Sequence, residues 1–369
     1  MNKTARQSNF ELLRIVSIFI IVIHHFALWT PWDFNFHGDF YRLTINFLMI
    51  GGKVGVNLFV MITAYFMINS NIKLKNIIRL IFEVTVFSII LYFISVIFHI
   101  GDARLNWQEV IESSLPIIFN RYWFMTAYFQ LYLLIPLLNS GLNNLTKKSH
   151  FNLLIIFFFL FSIWPMIYIE NGVTSSHLTW FIYLYALGSY FRKYEDKFNK
   201  TKMNYFIKLI LVVFVTLLST YSLIVLFSDV SNTGYYFLKE FLGWYVNIFV
   251  TREYGPFLLI ISIYIFLIFK QLNLKENKYI NKIASLTLGV YLFQSTPKIS
   301  GWLWKDVFSA HLLSNGWQVL LYSLFVSSIL FLIGIVLGFI LSPVINILTT
   351  LTINIFNKKL IKNDKQLER

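Results

Sequence analysis

Residues 11–29 read ELLRIVSIFIIVIHHFALW. Most of the stretch is hydrocarbon, yet Glu11 and Arg14 open it and His24 and His25 stand side by side near its end. About 20 apolar residues cross a bilayer as a helix, and ionisable groups inside such a span are costly. Helix geometry gives the four a pattern. At 100° per residue, Arg14 and His25 fall about 20° from a common line and roughly 16 Å apart along the axis. Glu11 lies about 60° from Arg14 on the same side, whereas His24 points about 80° away. One stripe therefore carries an arginine near one end of the span and a histidine near the other. Each has a plainer account: Arg14 paired with Glu11 and snorkelling to headgroups, His25 resting at the opposite interface. Their shared face makes both candidate functional residues, with His24 the lesser partner.

The rest of the chain agrees with a membrane reading. Of 369 residues, 57% are hydrophobic and 13% charged, against roughly 25% charged in soluble domains. Mean hydropathy is +0.66. The expected fold class is all-α, a polytopic helical bundle. With no cysteine, disulfides, thiol nucleophiles and Cys-ligated metals are excluded. His37, His99, His150, His177 and His311 fall in loops or at span ends, without metal-ligand spacing on one helix face. No phosphate-cradling glycine loop of the Walker type is present. The segment before residue 10 is too short for a cleaved leader, so the first helix is expected to stay in the membrane.

Ten spans are expected, near 10–29, 45–68, 78–100, 122–139, 151–169, 178–192, 206–227, 254–271, 283–303 and 318–345. The ninth is broken late by Pro297. Orientation follows from Lys and Arg. The N-terminus, the C-terminal tail and the loops near 69–79, 140–150, 192–208 and 270–282 hold 22 of them, and the opposite loops hold 7. Both termini are thus expected in the cytoplasm. The net charge of +14 then expresses topology and contact with anionic membrane lipids, and no nucleic-acid partner is expected. Residues 1–350 are expected to form one transmembrane domain, followed by a short basic cytoplasmic tail over 351–369.

The pair Arg14, ten intervening residues, His25 resembles the R-x10-H signature of the membrane-bound acyltransferase-3 family. Other stretches resemble that family in the same order: GGKVGVNLFVMITAYFM (51–67), YWFMTAYFQLYLLIPLL (122–138), WFIYLYALGSYFRK (180–193) and SLTLGVYLFQSTP (285–297). The likeness spans nearly the whole chain. Two positions depart from it. KLKNIIRL (73–80) has Arg79 but Asn76 where the family often has a second arginine, with Lys73 and Lys75 nearby. Gln294 stands where the family often has histidine. Relatives often carry an added esterase-like domain, and none is expected in this chain.

The resemblance implies O-acylation of a surface polysaccharide or its lipid-linked precursor in the bacterial plasma membrane, with acyl-CoA as the cytoplasmic donor. Acetyl-CoA is the expected donor, and no permanently bound cofactor or metal is expected. Arg14, Lys73, Lys75 and Arg79 are then placed to hold the donor's phosphates, which suit guanidinium forks. The roughly 16 Å between Arg14 and His25 matches an extended pantetheine arm. His25 becomes the general base on the acceptor hydroxyl. Lys53, Asn57 and Gln294 are candidate oxyanion donors. Trp123, Tyr291, Tyr122, Trp29 and Trp32 are candidates to line the acceptor. Plainer roles stay open: snorkelling for Lys53, interhelical hydrogen bonding for Asn57 and Gln294, an interfacial belt for the aromatics. Glu83, four residues after Arg79, is expected to pair with it. A transporter or flippase for a polysaccharide or lipid-linked intermediate is the competing reading, because buried Arg, His and Lys also line polar paths.

Overall fold

The computed structural model describes residues 7–34, 38–167, 176–195, 201–228 and 233–367. His37 lies outside the described residues. The described chain is helical and contains no strand. Its helices are α1 (Ser8–Trp29), α2 (Asp39–Met67), α3 (Leu74–Ile97), α4 (Trp107–Ser114), α5 (Trp123–Asn144), α6 (Lys147–Phe158) and α7 (Trp164–Ile167). They continue with α8 (His177–Lys193), α9 (Lys202–Leu226), α10 (Thr233–Tyr235), α11 (Ile248–Thr251) and α12 (Pro256–Lys270). The series closes with α13 (Lys278–Ala284), α14 (Thr287–Ser295), α15 (Ile299–Trp302) and α16 (Gly316–Leu367).

Local sequence sets the boundaries. Asn106, Thr146, Ser176 and Asn277 each accept a backbone N–H of the turn that follows, starting α4, α6, α8 and α13. Each cap satisfies one donor that the helix start leaves orphaned. Pro256 occupies the first turn of α12, where its missing N–H costs nothing.

Among the described residues, six helices are long and apolar enough to cross a membrane: Ser8–Trp29, Asp39–Met67, Leu74–Ile97, Lys147–Ile167, Lys202–Leu226 and Gly316–Lys358. The third to last of these, Lys147–Ile167, joins α6 to α7 through a π-helical turn at Phe159–Ile163. The helices α5, α8 and α12 occupy three more of the expected spans but are shorter or less apolar. The backbone of α16 runs unbroken from the last expected span through the basic tail to Leu367.

The ninth expected span breaks at Pro297, as expected, and a second time at Ser285–Leu286. Residues 283–303 do not form one crossing helix; they break into the end of α13, the nine-residue α14 and the short α15. The residue before proline is pushed out of the helical region, and Thr296 is extended ahead of Pro297. Lys298 then takes a positive φ of 70°. At 1.5 Å per residue α14 is about 13 Å long, under half a bilayer core. Such a piece survives in lipid only when it is buried in protein. It is: Gly289, Val290, Tyr291, Leu292 and Gln294 are buried, with α1, α3 and α16 packed against it. Gly289 and Gly334 permit the approach to α16. A Cβ on Gly289 would sit 2.9 Å from the Gly334 carbonyl oxygen, inside van der Waals contact.

Candidate functional site

The centre of the bundle is the crossing of α1 and α2, the most extensive helix pair. Gly52 makes room there for a histidine, since a Cβ at that position would lie within the His24 ring. His24 is buried, and its Nδ1 donates to the Met49 carbonyl at 2.5 Å. Its 80° offset from Arg14 points it into α2, so it is interior and structurally engaged.

His25 faces another way. Its Nδ1 lies 3.0 Å from Oε1 of Gln294 on α14. Its ring stacks on Trp29, with centroids 3.9 Å apart and planes 10° apart. An amide oxygen only accepts, so Nδ1 carries the proton and Nε2 keeps a lone pair. His25 is 8% exposed and Gln294 fully buried, with its Nε2 making no hydrogen bond. A base nitrogen and an uncommitted buried N–H donor thus stand on adjoining side chains.

A second cluster adjoins this pair through Lys53. Its ammonium lies 3.8 Å from Glu253 and 4.7 Å above the Trp123 ring, and within electrostatic range of both His24 and His25. Glu253 also accepts from His177 Nδ1 at 2.5 Å. The Trp123 and His177 rings are 4.4 Å apart. Lys53 is therefore paired inside the protein instead of reaching to the interface.

The remaining candidates at this level are committed to packing. Asn57 is fully buried; its oxygen accepts from Trp180 at 3.0 Å and its nitrogen donates to Ser262 at 3.2 Å. That amide ties α2 to α8 and α12. Tyr122 is buried and shares a hydrogen bond of 2.9 Å with Thr296. Tyr291 is buried between Tyr122 and Phe124. Trp32 donates its indole N–H to the Ala27 carbonyl at 2.7 Å.

At the opposite end of α1, Arg14 pairs with Glu11 at 3.3 Å. It is also within electrostatic range of Tyr128, whose hydroxyl is 3.0 Å from Thr63. Arg14 is thus partly enclosed between α1, α2 and α5. Arg79 lies 4.0 Å from Glu83, the pairing expected from their spacing. Arg79 also lines a cavity of about 480 Å³ with Lys278, Lys282, Asn281 and Glu276. Asn281 accepts from Ser8 at the start of α1 at 3.0 Å. Lys73 and Lys75 are exposed at the start of α3.

Sequence reasoning missed Glu253 and His177. His177 reads as a loop or span-end residue, and Glu253 falls at the end of the long loop near 228–253. Their only signal is negative: Glu253 is an acid flanked by long aromatic and aliphatic runs, where an unpaired carboxylate is costly.

These observations define a multi-pass membrane protein whose titratable side chains gather inside a helical bundle around a broken helix. A family model described as an acyltransferase domain, of the acyltransferase-3 type, matches residues 7–347, and the chain belongs to that family. It is a membrane acyltransferase. No curated protein and no solved structure matches the chain.

Proposed function

We propose that the protein moves an acetyl group from cytoplasmic acetyl-CoA to a hydroxyl of a cell-surface polysaccharide or its lipid-linked precursor, in the bacterial plasma membrane. The contact of His25 with Gln294 is the observation that carries this reading. It supports a base whose free nitrogen is Nε2. In the reaction, Nε2 takes the proton of the acceptor hydroxyl as that oxygen attacks the thioester carbonyl. The oxyanion that forms is stabilised by the uncommitted Nε2–H of Gln294. The tetrahedral intermediate collapses, the C–S bond breaks, and His25 Nε2–H passes its proton to the departing thiolate, which returns His25 to its neutral form. The products are the acetyl ester and free CoA.

The donor side rests on Arg14 and on the Arg79 cavity, where Lys278 and Lys282 add cationic groups for phosphates. Lys73 and Lys75 extend that basic face. With the N-terminus in the cytoplasm, helix rise puts His25 roughly 16 Å outward of Arg14, within reach of a pantetheine arm. If the broken run α13–α15 counts as one discontinuous crossing, about ten membrane-crossing segments with both termini inside complete the proposed topology.

The discontinuous α14 favours one other reading, since transporters place broken helices at their binding sites. One experiment separates the two. Membranes containing the protein are given acetyl-CoA, thiol release is followed, and alkali-labile acetate on the cells' surface polysaccharide is measured. The transferase gives both signals and loses both in His25→Ala. Surface polysaccharide that is lost from the cell exterior, with no thiol release, would identify a flippase.

A further inference from the structure

The cluster of Glu253, His177, Lys53 and Trp123 is assembled from α2, α5, the start of α8 and the link before α12, and the proposed chemistry at His25 leaves it unused. Glu253 is 5% exposed, and its Oε2 makes no hydrogen bond within the protein. Lys53 stands 3.8 Å from that oxygen, beyond hydrogen-bond reach. A buried carboxylate oxygen left without a donor is costly, so the site is built for something that supplies one. His177 is half exposed and donates its Nδ1–H to the other carboxylate oxygen at 2.5 Å, which leaves its own Nε2 as an acceptor. Trp123 is half-buried and adds an aromatic ring beside both His177 and Lys53.

We propose that these four residues form the subsite that receives the sugar of the acceptor. The inference rests on the acetyl-transfer reading given above. A pyranose offers adjacent hydroxyls, each both donor and acceptor, and an apolar C–H face. Oε2 of Glu253 accepts from one hydroxyl, the Lys53 ammonium donates to its neighbour, and Trp123 takes the C–H face. Glu253 offsets the charge of Lys53, and Arg252 also lies within electrostatic range of Lys53. The nearby Arg252 is turned onto the rings of Tyr245 and Tyr254, at 5.2 and 5.8 Å, and donates to the Tyr254 hydroxyl at 3.1 Å. Lys53 connects the subsite to the reaction centre, because it also lies within electrostatic range of His25.

The test compares two rates in the same membranes: hydrolysis of acetyl-CoA to free thiol, and transfer of acetate to the cells' surface polysaccharide. The variants are Glu253→Gln, which keeps shape and removes charge, and His177→Gln, a half-exposed position that tolerates replacement. Protein level and melting temperature are measured for each. In both variants the ratio of transfer to hydrolysis is expected to fall at least tenfold. If Glu253→Gln fails to accumulate, His177→Gln alone decides. A ratio equal to wild type in a normally folded variant overturns the subsite. A wild-type protein that neither hydrolyses acetyl-CoA nor acetylates polysaccharide overturns the transfer reading beneath it.

Discussion

His25 and Gln294 are 269 positions apart in the chain, yet Nδ1 of one lies 3.0 Å from Oε1 of the other. The contact joins the first helix to the broken helix α14 and fixes which imidazole nitrogen is protonated. In Gln294→Leu the buried N–H of His25 loses its acceptor, at a cost of about 1–3 kcal/mol. Activity is expected to fall roughly 10- to 100-fold, read as thiol release from acetyl-CoA. A rate equal to wild type would show that His25 works without this partner.

His24 is expected to matter for stability and not for the acyl transfer itself. His24→Ala gives up a buried hydrogen bond and should cost about 1–3 kcal/mol. Turnover per folded molecule should stay close to wild type, whereas His25→Ala should lose it. Thermal melts in detergent and expression-corrected rates check both parts. Loss of turnover in well-folded His24→Ala, with His25→Ala active, would reverse the assignment of faces on α1.

Arg14 is expected to serve the donor. Arg14→Lys keeps the charge but loses the two-pronged geometry that matches a phosphate. Affinity for CoA should weaken by about 1–3 kcal/mol, measured by calorimetry on the purified protein. Unchanged affinity with lost activity would assign Arg14 a structural or proton-relay role.

The orientation has its own test. The native chain has no cysteine, so single replacements report cleanly. Gln108 and Asn144 are both exposed; Gln108 follows α3 and Asn144 ends α5, and the last turns of those two helices lie at opposite faces in the proposed topology. A membrane-impermeant thiol reagent on intact cells should label Gln108→Cys, and should label Asn144→Cys only after permeabilisation. The reverse pattern would place His25 on the cytoplasmic side and remove the need for a long donor reach.

Much of the architecture is legible in the sequence, because apolar runs of bilayer length have few alternatives. The Arg14–His25 stripe is legible too, since it lies on one helix with fixed geometry. The break at Pro297 is legible, but the expectation for residues 283–303 misses the one at Ser285–Leu286, where hydropathy stays high while α13 gives way to α14. Hydropathy counts hydrocarbon and cannot separate a run of short buried helices from one continuous crossing helix. The Glu253–His177 contact is illegible for a different reason. Its partners lie 76 positions apart, on no common helix, and only tertiary packing brings them together. Asn57 shows the converse: its polarity inside a span marks a buried partner, but only the fold shows that Trp180 and Ser262 are the ones.

The space at Gly52 is filled by the ring of His24, and this constrains how the protein can change over generations. Any side chain at position 52 displaces that ring, so even alanine is unfavourable while histidine stands at 24. Once residue 24 has been replaced by something small, the same alanine fills a void and becomes acceptable. The two substitutions therefore have an order: 24 first, 52 second. Lineages that diverge from this chain at the α1–α2 crossing must pass through that sequence of steps, which makes the pair a point of historical contingency within the fold.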